Sequence, residues 1–179
     1  MHVFVVRPEP SFEPEPVSRG TGEFHYSREQ GGKNVKIKII QAEETIPLRQ
    51  QLLRPGRPQH ESVYDTDSAD TTLHLGARLD SKLISIATFS KEKSSFFSEP
   101  VQYRLRGMAT LTEYRGIGSG SRLLKEANQL LIERSAGLWW CNARMSAANF
   151  YRKQGLSVIG GEFDIVGIGA HVVMYKSLK

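Results

Sequence analysis

The chain holds one cysteine, Cys141, in 179 residues. It therefore has no internal disulfide framework and no Cys-rich zinc module. Long apolar runs are missing as well, since none approaches the ~18 residues of a membrane-spanning helix. The opening Met1-His2-Val3-Phe4-Val5-Val6-Arg7 is too short, and wrongly flanked, for a secretory signal. No membrane association and a cytoplasmic location are expected. Neither sign of charge dominates: 24 Lys and Arg stand against 19 Asp and Glu, a net charge of +5. The basic residues are scattered, with no basic tail. Such an excess attracts polyanions, either nucleic acid or a phosphorylated small molecule, or is simply a mixed solvated surface. Aromatic platforms interleaved with basic residues are absent, which argues against a nucleic-acid module.

What is present suits one soluble domain with a real core: 39% hydrophobic and 24% charged residues. Residues 1–34 stand apart. Pro8, Pro10, Pro14 and Pro16 alternate with glutamates, and Gly20, Gly22, Gly31 and Gly32 follow. This composition reads as a flexible extension. From 35 to 179 the pattern predicts β-α-β-β-β-α-β-α-β-β. Val35, Ile37 and Ile39 alternate with lysines as in a half-buried strand. Thr45-Ile46-Pro47 opens a helix with Thr45 as its cap, and Arg54-Pro55-Gly56 ends it. Residues 57–70 form a solvated acidic loop. A metal reading of His60, Glu61, Asp65, Asp67 and Asp70 lacks the spacing and glycine of an EF-hand, so no metal is expected. Strands 73–79 and 83–89 make an antiparallel hairpin. A fourth strand, 101–111, carries Gly107 as a bulge.

A long helix then presents Leu123, Leu124, Ala127, Leu130 and Leu131 as one apolar stripe, and Gly137 stops it. Leu138 to Cys141 reads as a buried strand. Its neighbouring tryptophans, Trp139 and Trp140, face opposite ways as core residues. Ser146 caps a last helix that Gly155 closes, and strands 156–159 and 171–175 finish the chain.

Between the fourth strand and the long helix lies Arg115-Gly116-Ile117-Gly118-Ser119-Gly120. Strand, glycine loop and helix N-terminus together make an anion site: orphan N–H groups, a partial positive charge, and a backbone a phosphate can approach. A tight turn without a ligand is the alternative. A Walker A loop is excluded because Ser121-Arg122 follow Gly120. A dinucleotide fingerprint fails because Ser121 or Leu123 stands where the third glycine belongs.

The spacing Arg115-x-x-Gly118-x-Gly120 resembles the acyl-CoA pyrophosphate loop of the GNAT superfamily of N-acetyltransferases. Ala147-x-x-Phe150-Tyr151-x-x-x-Gly155-Leu156 resembles that family's second motif. The two follow in the family's order, and the resemblance covers residues 35–179. Leu48-Arg49, Leu53-Arg54-Pro55-Gly56, Leu105-Arg106-Gly107-Met108-Ala109 and Gly167-Ile168-Gly169-Ala170-His171 are similar to a small bacterial-type subgroup of undefined substrate. The resemblance implies an α/β fold: a mixed, mostly antiparallel sheet with a central parallel, splayed strand pair, flanked by helices. It implies acetyl-CoA as cosubstrate and direct acetyl transfer to a primary amine of a small molecule or peptide. A non-catalytic acyl-CoA-binding or sensing domain is the alternative, and a homodimer is compatible with either. Main-chain groups of Met108, Ala109 and Thr110 would pair with the pantetheine arm, and Ala109 or Thr110 N–H would polarise the thioester. The N–H groups of Gly116, Ile117, Gly118, Ser119, Gly120 and Ser121, with Arg115, would hold the pyrophosphate. Asn149 is a pantetheine candidate or a solvent-facing helix residue. Tyr151 resembles the donor to the departing sulfur.

The chain also departs from the pattern. The fourth strand reads Tyr103-Arg104-Leu105-Arg106, without the carboxylate some members use as a base. His171 is the first candidate for that role and His74 the second. Arg104 and Arg106 would hold a substrate carboxylate or form a solvated strand face. Arg144 stands where relatives have Asn, Leu156 where they have Phe, and Val166 and Ala170 where the subgroup often has proline.

Overall fold

The structure, a computed structural model, describes residues 34–179. Apart from Asn34, the expected N-terminal extension lies outside the described residues. Seven strands form one sheet: β1 Val35–Ile39, β2 Leu73–Leu79, β3 Lys82–Lys91, β4 Gln102–Thr110, β5 Leu138–Arg144, β6 Ser157–Ile165 and β7 Gly169–Ser177. Their spatial order is β1-β2-β3-β4-β5-β7-β6. Every neighbouring pair is antiparallel except β4 with β5. Three helices complete the fold: α1 Ala42–Leu53, α2 Ser119–Glu133 and α3 Met145–Lys153. The element order and mixed sheet agree with expectation, and β6 and β7 run further than their apolar cores suggested. Among the described residues, no helix is long and apolar enough to cross a membrane.

Helix ends differ from expectation in three places. α1 begins at Ala42 because Glu44 reaches back to accept the Gln41 N–H at 3.1 Å. Thr45 is thus inside the helix, its hydroxyl donating to the Ala42 carbonyl, and Pro47 falls in the second turn. α2 ends at Glu133, and the left-handed residue that closes it is Ser135 (φ 59°), not Gly137. Gly137 serves packing: a Cβ there would lie 2.8 Å from Glu99 Cγ. α3 starts at Met145 with Arg144 at its cap, so Ser146 sits in the first turn. Gly155 does close it, at φ 81°.

The main core lies between the sheet and α2. Leu123, Leu124, Ala127 and Leu131 are buried there, with Trp139 edge-on to Phe89. The buried Trp139 indole donates to Asn128 Oδ1 at 2.8 Å, which satisfies its only polar atom. Trp140 faces the other way, packing with Leu138 and Val173, and its indole donates to the Glu92 carbonyl.

On that second face the acidic loop is not simply solvated. Arg49 of α1 is fully buried and binds Asp67 through both terminal nitrogens, at 2.6 and 3.0 Å. It also donates to the Ser62 carbonyl and to Thr88 Oγ1. Asp67 in turn accepts the Tyr64 N–H at 2.9 Å. His74 completes the cluster, with Nδ1 bonded to Thr88 Oγ1 and Nε2 to the Asp67 carbonyl, both at 3.0 Å. One ion pair thus ties α1, β2, β3 and the 54–72 connection together. Removing one member of a buried pair strands the other charge, at about 3–5 kcal/mol. Asp67→Ala should therefore lower the urea unfolding free energy by about that much. The double variant Arg49→Met/Asp67→Leu should recover part of the loss. A loss under about 1 kcal/mol for Asp67→Ala would show that the pair does not hold the fold.

Candidate active site

β4 and β5 are hydrogen-bonded neighbours over a short stretch only. Gln102, Tyr103 and Arg104 pair with Leu138, Trp139 and Trp140, after which the strands part. β5 continues with β7 along its whole length, while β4 stays with β3 to Thr110. Gly107, at φ 59°, forms the expected bulge: β4 has two residues, Gly107 and Met108, between Arg106 and Ala109 where β3 has only Ala87 between Ile86 and Thr88. A gap therefore opens beside residues 105–110 of β4.

Past the bulge the main chain alternates. The Ala109 carbonyl accepts the Ser85 hydroxyl and the Leu111 N–H donates to the Ile84 carbonyl, so these two residues turn toward β3. Met108 and Thr110 alternate with them and turn their main-chain groups into the gap. Of the three expected pantetheine partners, Ala109 thus has its carbonyl turned toward β3.

The glycine loop sits at the mouth of this gap. Gly116 and Gly118 both have φ 83°, and a Cβ at either would meet nothing within 4 Å. These glycines answer to conformation and open space, not to packing. Gly118 caps α2 without any side-chain hydrogen bond, and the first helical bond runs from Arg122 N–H to the Gly118 carbonyl. The N–H groups of residues 116–121 have no acceptor among the described residues. Arg115 is exposed, Ile117 leans on the core, Ser119 is buried and Ser121 half-buried. At Gly120 packing takes over: a Cβ would lie 3.1 Å from Met108 Cε and 3.3 Å from Phe150 Cζ. A cleft of about 380 Å³ follows between α2 and α3, with Arg122, Lys125, Lys153 and Lys176 on its walls.

α3 delivers Tyr151 to the same gap. The ring is buried, 5.2 Å from Phe150, and its hydroxyl donates to Met108 Sδ at 3.6 Å. Burial, and to a smaller extent the neighbouring Cys141, push the phenol pKa above its usual 10. Cys141 is itself pushed up to about 12 by burial, so the thiol is neutral and unreactive. Asn149 is exposed on α3.

His171 lies across the sheet from these groups. Arg104 and Arg106 of β4, Trp140 and Arg144 of β5, and His171 of β7 occupy the face that α1 covers. His171 is buried, its Nδ1 2.6 Å from the Gly169 carbonyl. A carbonyl only accepts, so Nδ1 carries a proton, and in the neutral ring Nε2 is the accepting nitrogen. His74, the second candidate base, has both ring nitrogens engaged and belongs to the Arg49 cluster. Arg104 is likewise removed from substrate duty: it pairs with Glu92 at 2.7 Å and stacks on Trp140. The sequence reading missed the partners of Arg49. Asp67 looked like one carboxylate among several in the 57–70 loop. Among the described residues, no group of three or more His, Cys, Asp or Glu side chains is placed to hold a metal ion.

Residues 71–156 match a family model described as an acetyltransferase (GNAT) domain. The uncharacterized N-acetyltransferase YitI of Bacillus subtilis (strain 168) is 43% identical over 145 residues, 81% of this chain and 97% of the relative. Among solved structures, Escherichia coli ElaA is similar with a TM-score of 0.64 at 16% identity, over 80% of this chain and 99% of that one. An aminoglycoside 6'-N-acetyltransferase complexed with coenzyme A gives a TM-score of 0.64 at 12% identity, over 80% and 97% of the two chains.

Proposed function

Since the chain belongs to the GNAT superfamily of acetyltransferases, we propose that it moves an acetyl group from acetyl-CoA directly onto a primary amine of a small molecule or peptide. The observation that carries this reading is the row of unpaired N–H groups at residues 116–121, opening beside the free edge of β4. Acetyl-CoA supplies the activated acyl group as a thioester and the thiol as leaving group. The N–H row, at the positive end of α2, suits its pyrophosphate. Gly116 and Gly118 leave room for that anion, and Arg115 adds charge at the mouth. The cationic walls between α2 and α3 suit the remaining phosphate. Main-chain groups of Met108 and Thr110 bind the pantetheine arm as an added strand would be bound. With Ala109 turned toward β3, the Thr110 N–H is the donor for the thioester oxygen as charge gathers there.

The two faces divide the chemistry. The amine approaches from the His171 side and its nitrogen attacks the thioester carbon. A new C–N bond forms, the C–S bond breaks, and the proton lost from nitrogen goes to His171 Nε2. Tyr151 donates its hydroxyl to the departing sulfur from the α3 side. With its pKa raised by burial, the phenol keeps its proton. Even the unshifted gap of ~1.5 units to a thiol near ~8.5 makes transfer uphill by about 2 kcal/mol. Tyr151 is therefore a hydrogen-bond donor, and the thiolate takes its proton from water.

The test is free-thiol release from acetyl-CoA across a panel of amines, amino acids and peptides, with binding followed by thermal shift. At a hundred times its Kd, acetyl-CoA should stabilise the fold by about 2.7 kcal/mol. Tight binding without acceptor-dependent thiol release would make the protein an acyl-CoA sensor instead. Gly118→Asp should abolish that stabilisation, because a carboxylate would stand among donors meant for phosphate. Unchanged affinity in the folded variant would place the cosubstrate elsewhere. Tyr151→Phe should lower kcat by about tenfold, short of the ~10²–10⁴ of full acid–base assistance, and leave acetyl-CoA affinity nearly unchanged. Reduced affinity with normal turnover would make Tyr151 a binding residue only.

A further inference from the structure

We infer that the acceptor amine carries an oxyanion, a carboxylate or a phosphate, and that Arg106 binds it. The inference rests on reading the α1 face as the acceptor side. Arg106 is the first residue to point onto that face beyond Arg104, where β4 leaves β5. Arg106 is half-buried, and its guanidinium lies 4.5 Å from the centroid of the Tyr64 ring. It has no carboxylate partner among the described residues. Glu92 pairs with Arg104, Asp67 with Arg49, and Glu61 with Arg57. A cation partly withdrawn from water and left without a counter-charge is unfavourable unless something anionic meets it.

The surroundings hold this cation in place. Tyr64 is pinned from both sides: its N–H goes to Asp67, and the Arg49 guanidinium lies 4.0 Å from its ring centroid. The whole buried cluster thus fixes the platform under Arg106. Gly107 lets the platform close in, since a Cβ there would lie 2.8 Å from Arg49 Nε and 3.1 Å from the Tyr64 ring. On the far side, Arg57 reaches the β6–β7 turn, 3.1 Å from where a Cβ of Gly167 would be. Arg106, stacked on Tyr64, and His171 lie on the same face of the sheet. Across the bulge, Arg106 and Thr110 pair with Thr88 and Ser85, three residues apart on β3, so they stand about 10 Å apart along the strand, a span that an arginine side chain and a small amino acid fill together.

The experiment titrates CoA-loaded protein by calorimetry with matched amines: alanine against alaninamide, and O-phosphoethanolamine against ethanolamine. In parallel, thiol release from acetyl-CoA is followed with the same four compounds. At least one acidic member should bind ~10–100-fold tighter than its neutral twin, the range of a charge-assisted hydrogen-bond pair. Which pair shows the preference tells carboxylate from phosphate. In Arg106→Gln the ratio within the pair should fall to about one, and Arg106→Lys should restore part of it. CoA affinity, read in a separate titration of the CoA-free protein, shows that each variant is folded. No preference in the wild-type protein, or a preference that survives in Arg106→Gln, overturns the inference. Acid-selective binding without thiol release would uphold it while removing the acetyl-transfer reading.

Discussion

The molecule is organised around a failure of pairing. β4 and β5 are the one parallel pair in the sheet, and they keep company for three residues. Beyond that, each strand is satisfied on its other side, β4 by β3 and β5 by β7. At the N-terminus of α2, Gly120 lies close against the Met108 and Phe150 side chains. An unpaired strand edge in the middle of a sheet is an unfinished hydrogen-bonding surface, and an extended ligand with amide groups completes it.

The other face depends on charge. Arg49 is fully buried, and the partners of its two terminal nitrogens come from the 54–72 connection and from β3. The polar 54–72 connection buries few apolar groups of its own. Asp67, with its bonds to Arg49 and to the Tyr64 N–H, gives that connection its fixed shape. The result is a rigid wall opposite the β6–β7 turn, where Val166 is almost wholly exposed at 98%. One side of the proposed acceptor space is therefore built on a buried ion pair, and the other on a hairpin tip.

Much of this was legible in the sequence because it is written in periodicity and glycine. Alternating residues in β1 and β2, the apolar stripe of α2, and the left-handed Gly107, Gly118 and Gly155 each declare local geometry directly. The parting of β4 from β5 was expected only through resemblance to a family, since nothing in Leu105 to Thr110 itself says that a neighbour is missing. Helix starts were less legible. Thr45 and Ser146 are good capping residues by type, yet Gln41 and Arg144 hold those positions because the chain enters from particular strands. The Arg49 cluster was hidden for another reason. Its members lie 18 and 39 residues from Arg49 along the chain, so no window of local sequence contains them. The main-chain direction of Ala109 depends on the bulge that precedes it, and a one-residue shift reverses which edge it serves.

Tyr151 meets Met108 sulfur in the gap, and that contact sets when its hydrogen bond becomes strong. A thioether is a weak acceptor, so the buried hydroxyl is oriented while holding little bond energy in reserve. In the proposed reaction a sulfur of growing negative charge takes the place of a neutral one. The phenol need not turn or shed water to meet it, because it is already buried and aimed. The strengthening is thereby timed to bond cleavage instead of to docking. A flexible, unbranched methionine is well suited to such a place-holder, since it can yield its position without disturbing the packing around it.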